Sequence, residues 1–118
     1  MKFNKLLMEK SQKKKLHGYD WYRSIGAPKY IVAPMVDQSE LPYRMLTRKY
    51  GAQLCYTPMF HARIFATDPK YRQKMFTPCA EDRPLIVQFA AHDPDYLLAA
   101  AKLVANDCDA VDINCGCP

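Results

Sequence analysis

Leu85-Ile86-Val87-Gln88-Phe89-Ala90 and Ala110-Val111-Asp112-Ile113-Asn114 are the stretches whose reading decides the fold. Each is short, rich in β-formers and almost unbroken in apolar character instead of alternating. That is the pattern of a strand covered on both faces, as in a parallel sheet. Between them, Asp93-Pro94 offers a capping side chain followed by a residue suited to the first helical position. The segment after it sets Leu97, Ala101 and Val104 on one helical face and runs out near Asn106-Asp107. Strand, helix and strand in this order make a βαβ unit.

The same unit recurs upstream. Tyr30-Ile31-Val32-Ala33-Pro34-Met35-Val36 and Gln53-Leu54-Cys55-Tyr56-Thr57 read as strands. Between them Ser39 is placed to cap a helix through Leu41, Met45, Leu46 and Tyr50, with Gly51 just past its end. Pro42 falls in the first turn, where a missing N–H is tolerated. Residues 61–83 are less regular: Asp68-Pro69 marks a break, and Tyr71–Met75 reads as a short helix. Strand starts fall roughly 23 to 32 residues apart, close to the ~30 of each unit in a (β/α)8 (TIM) barrel. A doubly wound open sheet has a similar period, and spacing alone does not separate the two. Four strands without closure leave edges exposed, and the sequence stops at Pro118 directly after a strand. The expectation is an α/β chain forming the first half, about four β/α units, of a truncated TIM barrel.

Composition agrees with a globular chain: of 118 residues, 49% are hydrophobic and 25% charged. No apolar run approaches the roughly 18 residues of a membrane span, and no apolar segment follows the basic N-terminus as in a secretory signal. A soluble protein of the cytoplasm or nucleus is expected. The net charge of +5 is unevenly spread. Residues 1–30 hold eight Lys/Arg against Glu9 and Asp20, whereas the rest hold nine against ten acids. Residues 1–29 are therefore a basic N-terminal extension, densest at Lys13-Lys14-Lys15, and residues 30–118 are the barrel portion. Such a run suits phosphate contact through counterion release or a nuclear address; a solvated, disordered tail is the expected state. Five cysteines without a signal segment argue against a disulfide framework. Cys115 and Cys117 are one residue apart rather than two, with no His or Cys completing a tetrahedral set, so no metal site is expected.

In a barrel the active site sits at the C-terminal ends of the strands. Those ends read Pro34-Met35-Val36, Tyr56-Thr57-Pro58-Met59, Gln88, and Asn114-Cys115-Gly116-Cys117-Pro118. Gln88 and Asn114 are amides inside or bordering apolar runs. Buried amides need partners, and either a structural neighbour or a ligand ring edge with alternating donors and acceptors would serve.

Ala33-Pro34-Met35-Val36-Asp37, Gln88 and Asp112-Ile113-Asn114-Cys115-Gly116-Cys117-Pro118 together resemble the tRNA-dihydrouridine synthases, whose fourth-strand motif Asn-x-Gly-Cys-Pro is matched at residues 114–118. The resemblance covers about Tyr30 to Pro118. It implies that Pro34, Met35 and Val36 pack against the isoalloxazine of FMN, that Gln88 bonds its polar edge, and that Asn114 positions flavin or uracil. It implies Cys117 as general acid, protonating C5 of a tRNA uridine while a flavin recharged by NADPH or NADH supplies hydride to C6. A thiol with an ordinary value near ~8.5 suits proton donation at neutral pH. For Cys115, packing is the expected job. Many family members carry an acid after the threonine of the second strand, where this chain has Pro58. That departure, with Asp37-Gln38-Ser39-Glu40-Leu41 and Asp82–Phe89, is similar to the eukaryotic tRNA-dihydrouridine(16/17) synthase branch. His61 and Arg63 either face RNA or are plain exposed loop residues. The family's later strands, with their FMN phosphate loops, and its helical RNA-gripping domain are not in these residues. The isolated chain is therefore expected neither to retain FMN tightly nor to reduce tRNA.

Overall fold

The computed structural model describes residues 15–116. In chain order these form α1 (Gly18–Ser24), β1 (Ile31–Val32), α2 (Leu41–Lys49), β2 (Leu54–Tyr56), β3 (Phe60–His61), α3 (Ala62–Thr67), α4 (Pro69–Met75), β4 (Leu85–Ala90), α5 (Pro94–Val104) and β5 (Ala110–Ile113). All paired strands are parallel: β1 with β2, β2 with β4, β3 with β4, and β4 with β5. With β3 set aside, the strands therefore lie in the order in which they are synthesised. A doubly wound sheet reverses direction at a switch point; here each strand is laid beside its predecessor, as around a (β/α)8 barrel.

The two-residue β3 was not foreseen, and it is best understood as the continuation of β2. Cys55 and Tyr56 pair with Leu85 and Ile86, while Phe60 and His61 pair with Phe89 and Ala90. Five steps along β2–β3 thus match four along β4, which makes Thr57-Pro58-Met59 a one-residue bulge. Pro58 has no N–H to give the ladder, and the Thr57 side chain makes good part of the gap. Thr57 N donates to Ile86 O (3.0 Å), and Thr57 Oγ1 accepts from Gln88 N (3.1 Å) while donating to Pro58 O (2.8 Å).

Alternation along β4 sends Leu85, Val87 and Phe89 to the helix-covered face, where they join Cys55, Phe60, Ala62, Phe65, Phe76, Ala100, Val104 and Cys108. Phe60, Phe65 and Phe89 are fully buried, with ring centroids 5.2–6.1 Å apart. Their offset and edge-on contacts add to area burial. Asp93 caps α5 as expected, accepting from Asp95 N at 2.8 Å. Asp68 ends α3 and caps α4, its carboxylate accepting from the N–H groups of Lys70 and Tyr71. Ser39 does not cap α2: Glu40 holds that place without a side-chain bond. The Ser39 hydroxyl instead turns back to Met35, accepting from its N–H (2.9 Å) and donating to its carbonyl (3.1 Å). Asp37, at φ +58°, makes the tight turn that allows this.

The loop leading into β4 carries a buried ion cluster. Asp82 is 1% exposed and sits between Arg44 and Arg48 of α2, each guanidinium holding one carboxylate oxygen at 2.8–2.9 Å. Arg44 also donates to Ser39 O at 2.7 Å, so the same group anchors the turn after β1. In the extension, residues 15–29 contain the exposed helix α1 rather than only irregular chain. Lys29 and Tyr30 are tied to β2 through Gln53 Oε1, at 2.7 and 3.1 Å. The Lys13-Lys14 part of the basic run lies outside the described residues.

Candidate functional site

Polar residues collect on the second face of the sheet, toward the C-terminal ends of the strands. Alternation puts Ile86 and Gln88 there. The register sets Tyr56 and Ala110 beside Ile86, and Asp112 beside Gln88. Gln88 is 7% exposed, and both ends of its amide are bonded. Its Nε2 donates to Asp112 Oδ2 at 2.7 Å, and its Oε1 accepts a long bond of 3.5 Å from Asn114 Nδ2. Asn114 follows β5, its N–H donates to Phe89 O (2.9 Å), and its Oδ1 accepts from Gly116 N (2.9 Å). Asp112, Gln88, Asn114 and the backbone of Gly116 thus form one row of hydrogen bonds crossing from β5 to β4 and back. Burial, and then the Asp112 carboxylate, push the Tyr56 phenol above its ordinary value, so it remains a neutral O–H donor at physiological pH.

Pro34, Met35 and Val36 lie immediately beyond β1, at the same end of the sheet. The Ser39 and Arg44 contacts fix this loop from behind. Pro34 and Met35 are half-buried, and Val36 is 55% exposed, so the loop offers apolar surface without being part of the core. The expected site residues of the described part, Pro34, Met35, Val36, Gln88 and Asn114, therefore share one end of the sheet. Gln88 and Asn114 touch; the loop stands two strands away, across β2. Cys117 lies outside the described residues. Cys115 departs from the packing job expected of it: it is exposed, with its thiol 3.8 Å from Ile113 O.

Two residues of this site were not singled out from sequence. Asp112 was quoted only as part of the motif, yet it holds Gln88 directly. Thr57 holds the Gln88 backbone from the other side. The available signal was period-two alternation: Asp112 interrupts an apolar strand at the place where a neighbouring strand has Gln88.

A cleft of about 420 Å³ opens beside the row, lined by His61, Ala90, Ala91, His92, Ile113, Asn114 and Cys115. His61 is exposed at its rim, and exposed Arg63 lines a neighbouring pocket that shares His61, its guanidinium 5.6 Å from the Tyr96 ring centroid. A more voluminous groove of about 490 Å³ runs between β1 and α2, lined by Ile31, Val32, Leu46 and Tyr50 among others. It is mostly apolar and follows the edge of the sheet rather than the strand ends. The polar row and its cleft are the better candidate for chemistry. Among the described residues, no group of three or more His, Cys, Asp and Glu is placed to hold a metal ion. No described helix is long and apolar enough to cross a membrane.

Comparison with known proteins agrees with this geometry. The family profile described as Dihydrouridine synthase (Dus) matches residues 31–118. The tRNA-dihydrouridine(16/17) synthase of Schizosaccharomyces pombe is 59% identical over 107 residues, covering 89% of this chain and 27% of that protein. Its counterpart in Saccharomyces cerevisiae is 60% identical, covering 88% of this chain and 25% of that protein. A human tRNA-dihydrouridine(20a/20b) synthase-like protein is 50% identical over 88 residues, 75% of this chain and 28% of its own length. The chain spans about a quarter of the length of the curated relatives it matches. Its parallel sheet with covering helices is that of a truncated TIM barrel, and the chain belongs to the dihydrouridine synthase family.

Proposed function

We propose that this chain supplies the front of a tRNA-dihydrouridine synthase, an FMN enzyme recharged by NADPH or NADH that reduces uridine in tRNA to 5,6-dihydrouridine. The observation that carries the reading is the row Asp112–Gln88–Asn114–Gly116, which lies at the C-terminal strand ends and leads directly into Cys117. Relatives named tRNA-dihydrouridine(16/17) synthase support the choice of substrate and of nicotinamide reductant.

The residues suit a flavin. Val36 and Met35 present apolar surface for a ring face, and the side-by-side amides of Gln88 and Asn114 offer a donor and an acceptor for a ring edge. When bound, reduced FMN supplies the hydride taken up at C6 of the uracil. The protein's own part is geometry and one proton. The Ser39 hydroxyl and the Arg44 guanidinium hold the loop after β1, and Thr57 holds the β4 backbone beneath Gln88. Asn114 holds the N–H of Gly116, just ahead of Cys117 in the sequence, and the Cys117 thiol gives its proton to C5. That role for Cys117 rests on the Asn-x-Gly-Cys-Pro motif. The uridine must leave its stack to reach such a site, and exposed His61 stands at the rim it would cross, with Arg63 in the neighbouring pocket.

The test uses the full-length protein. Cys117→Ala should leave flavin reduction by NADPH at the wild-type rate, followed by flavin absorbance, while dihydrouridine formation in tRNA is lost. Reoxidation of the flavin by tRNA at the wild-type rate in that variant would overturn the acid assignment. Absence of both flavin and dihydrouridine from the wild-type protein would overturn the whole reading.

A further inference from the structure

A primary amide has two ends of nearly the same shape, and its neighbours decide which end faces which way. Gln88 lies between Asp112 and Asn114. A carboxylate only accepts hydrogen bonds, so Gln88 must turn its NH2 toward Asp112, where Nε2 and Oδ2 are 2.7 Å apart. Its carbonyl then faces Asn114, which must offer Nδ2, and the Asn114 carbonyl is left for the N–H of Gly116. A backbone N–H only donates, so the far end of the row demands the same direction. The two ends are unequal in strength, however. The Gln88–Asn114 link is 3.5 Å long and by itself holds Gln88 weakly. The Asp112 contact is short and charge-assisted, and so stronger than a neutral bond. Gln88 is nearly closed to water, which could otherwise replace a lost partner.

We infer that Asp112 is the positioning residue that sets the direction of the Gln88 amide, and through it the donor–acceptor pattern shown to a ring bound on this face of the sheet. The inference deepens the synthase reading and rests on it for the flavin arm of its test. Its other arm depends only on the fold. An asparagine at 112 keeps the size and one acceptor oxygen, yet its amide can face Gln88 either way. An alanine removes the partner altogether.

The experiment takes full-length protein labelled with ¹⁵N in its glutamine side chains, with the Gln88 signal identified by its loss in Gln88→Leu. Wild-type protein should give one sharp Gln88 side-chain signal. Asp112→Asn should split or displace it, and Asp112→Ala should displace it further. FMN affinity should fall roughly tenfold or more in Asp112→Ala, the scale of losing a hydrogen bond to a charged group, and less in Asp112→Asn. A Gln88 signal unchanged in both variants overturns the inference, as does unchanged FMN affinity in a variant whose signal has moved. Should Asp112→Ala fail to fold, the near-isosteric Asp112→Asn carries both measurements. A wild-type protein that binds no FMN sinks the synthase reading, while the Gln88 signal still decides for or against Asp112.

Discussion

Replacing Asp82 by alanine should destabilise the protein far more than a surface ion pair would suggest. The carboxylate is 1% exposed, Arg44 is 2% exposed, and four guanidinium contacts of 2.8–2.9 Å converge on its two oxygens. Removal leaves two cations facing a space with no counter-charge. Arg48 is partly open to solvent and retains the carbonyls of Arg83 and Pro84. Arg44 retains only Ser39 O and has little access to water. The loss should therefore be about 3–5 kcal/mol, the range for stripping one partner from a buried pair. That is a large share of the ~5–15 kcal/mol that holds a typical domain together. Asp82→Asn, which keeps one oxygen in place, should lose less. Urea denaturation measures both, provided the slope with denaturant stays that of the wild type. A loss under about 1 kcal/mol for Asp82→Ala, the figure for exposed pairs, would refute the reasoning and mean that water reaches the cluster.

Thr57→Val keeps the shape at the bulge but leaves the buried N–H of Gln88 without its acceptor, and should cost about 1–3 kcal/mol in the same denaturation assay. Asp93→Ala removes the cap of α5 and should cost about 1 kcal/mol, read as earlier thermal unfolding. Alkaline pH should weaken the fold. Burial raises the Cys55 and Cys108 thiols above their ordinary value of 9.0, and burial with Asp112 raises Tyr56 above 10.0. The folded state then holds these protons more tightly than the unfolded one. Stability is full below pH 9 and declines as pH rises through 9 and 10 toward the folded values. A denaturation midpoint flat from pH 8 to 11 would contradict this, and Cys55→Ala with Cys108→Ala should make the decline shallower.

Strands β2, β4 and β5 and the α5 cap were legible in the sequence because they depend on local signals, whereas the first strand, read over residues 30–36, is only Ile31–Val32. Near-continuous apolar runs at 85–90 and 110–114 became β4 and β5 almost residue for residue, and Asp93-Pro94 opened α5 as expected. Where a residue's partner is distant in sequence, the reading failed. Ser39 has the chemistry of a cap, but nothing nearby shows that Arg44 and the Asp37 turn direct it to Met35 instead. Nothing in Glu81-Asp82-Arg83 pointed to a buried ion cluster, since the arginines that bury Asp82 lie 34 and 38 residues away. Pro58 looked like the end of a strand, and only the pairing on both sides of it revealed a bulge. The candidate site was legible as a motif, and its amides were found. The carboxylate that orients them was hidden because one acid in an apolar strand does not announce its cross-strand neighbour.

The ordering of the strands also bears on how such a chain is made. Ile31 meets Leu54, Cys55 meets Leu85, and Ile86 meets Ala110, so each new strand finds its partner about 20 to 30 residues behind it. Loop-closure entropy at such lengths is modest and nearly equal from one step to the next. A polypeptide leaving the ribosome can therefore add one strand at a time to a growing edge, without waiting for a distant segment to emerge. The edge that accepts the next strand is also open to any other strand in the meantime. Fast, sequential synthesis and a tendency to mispair when it stalls are thus two results of the same strand order.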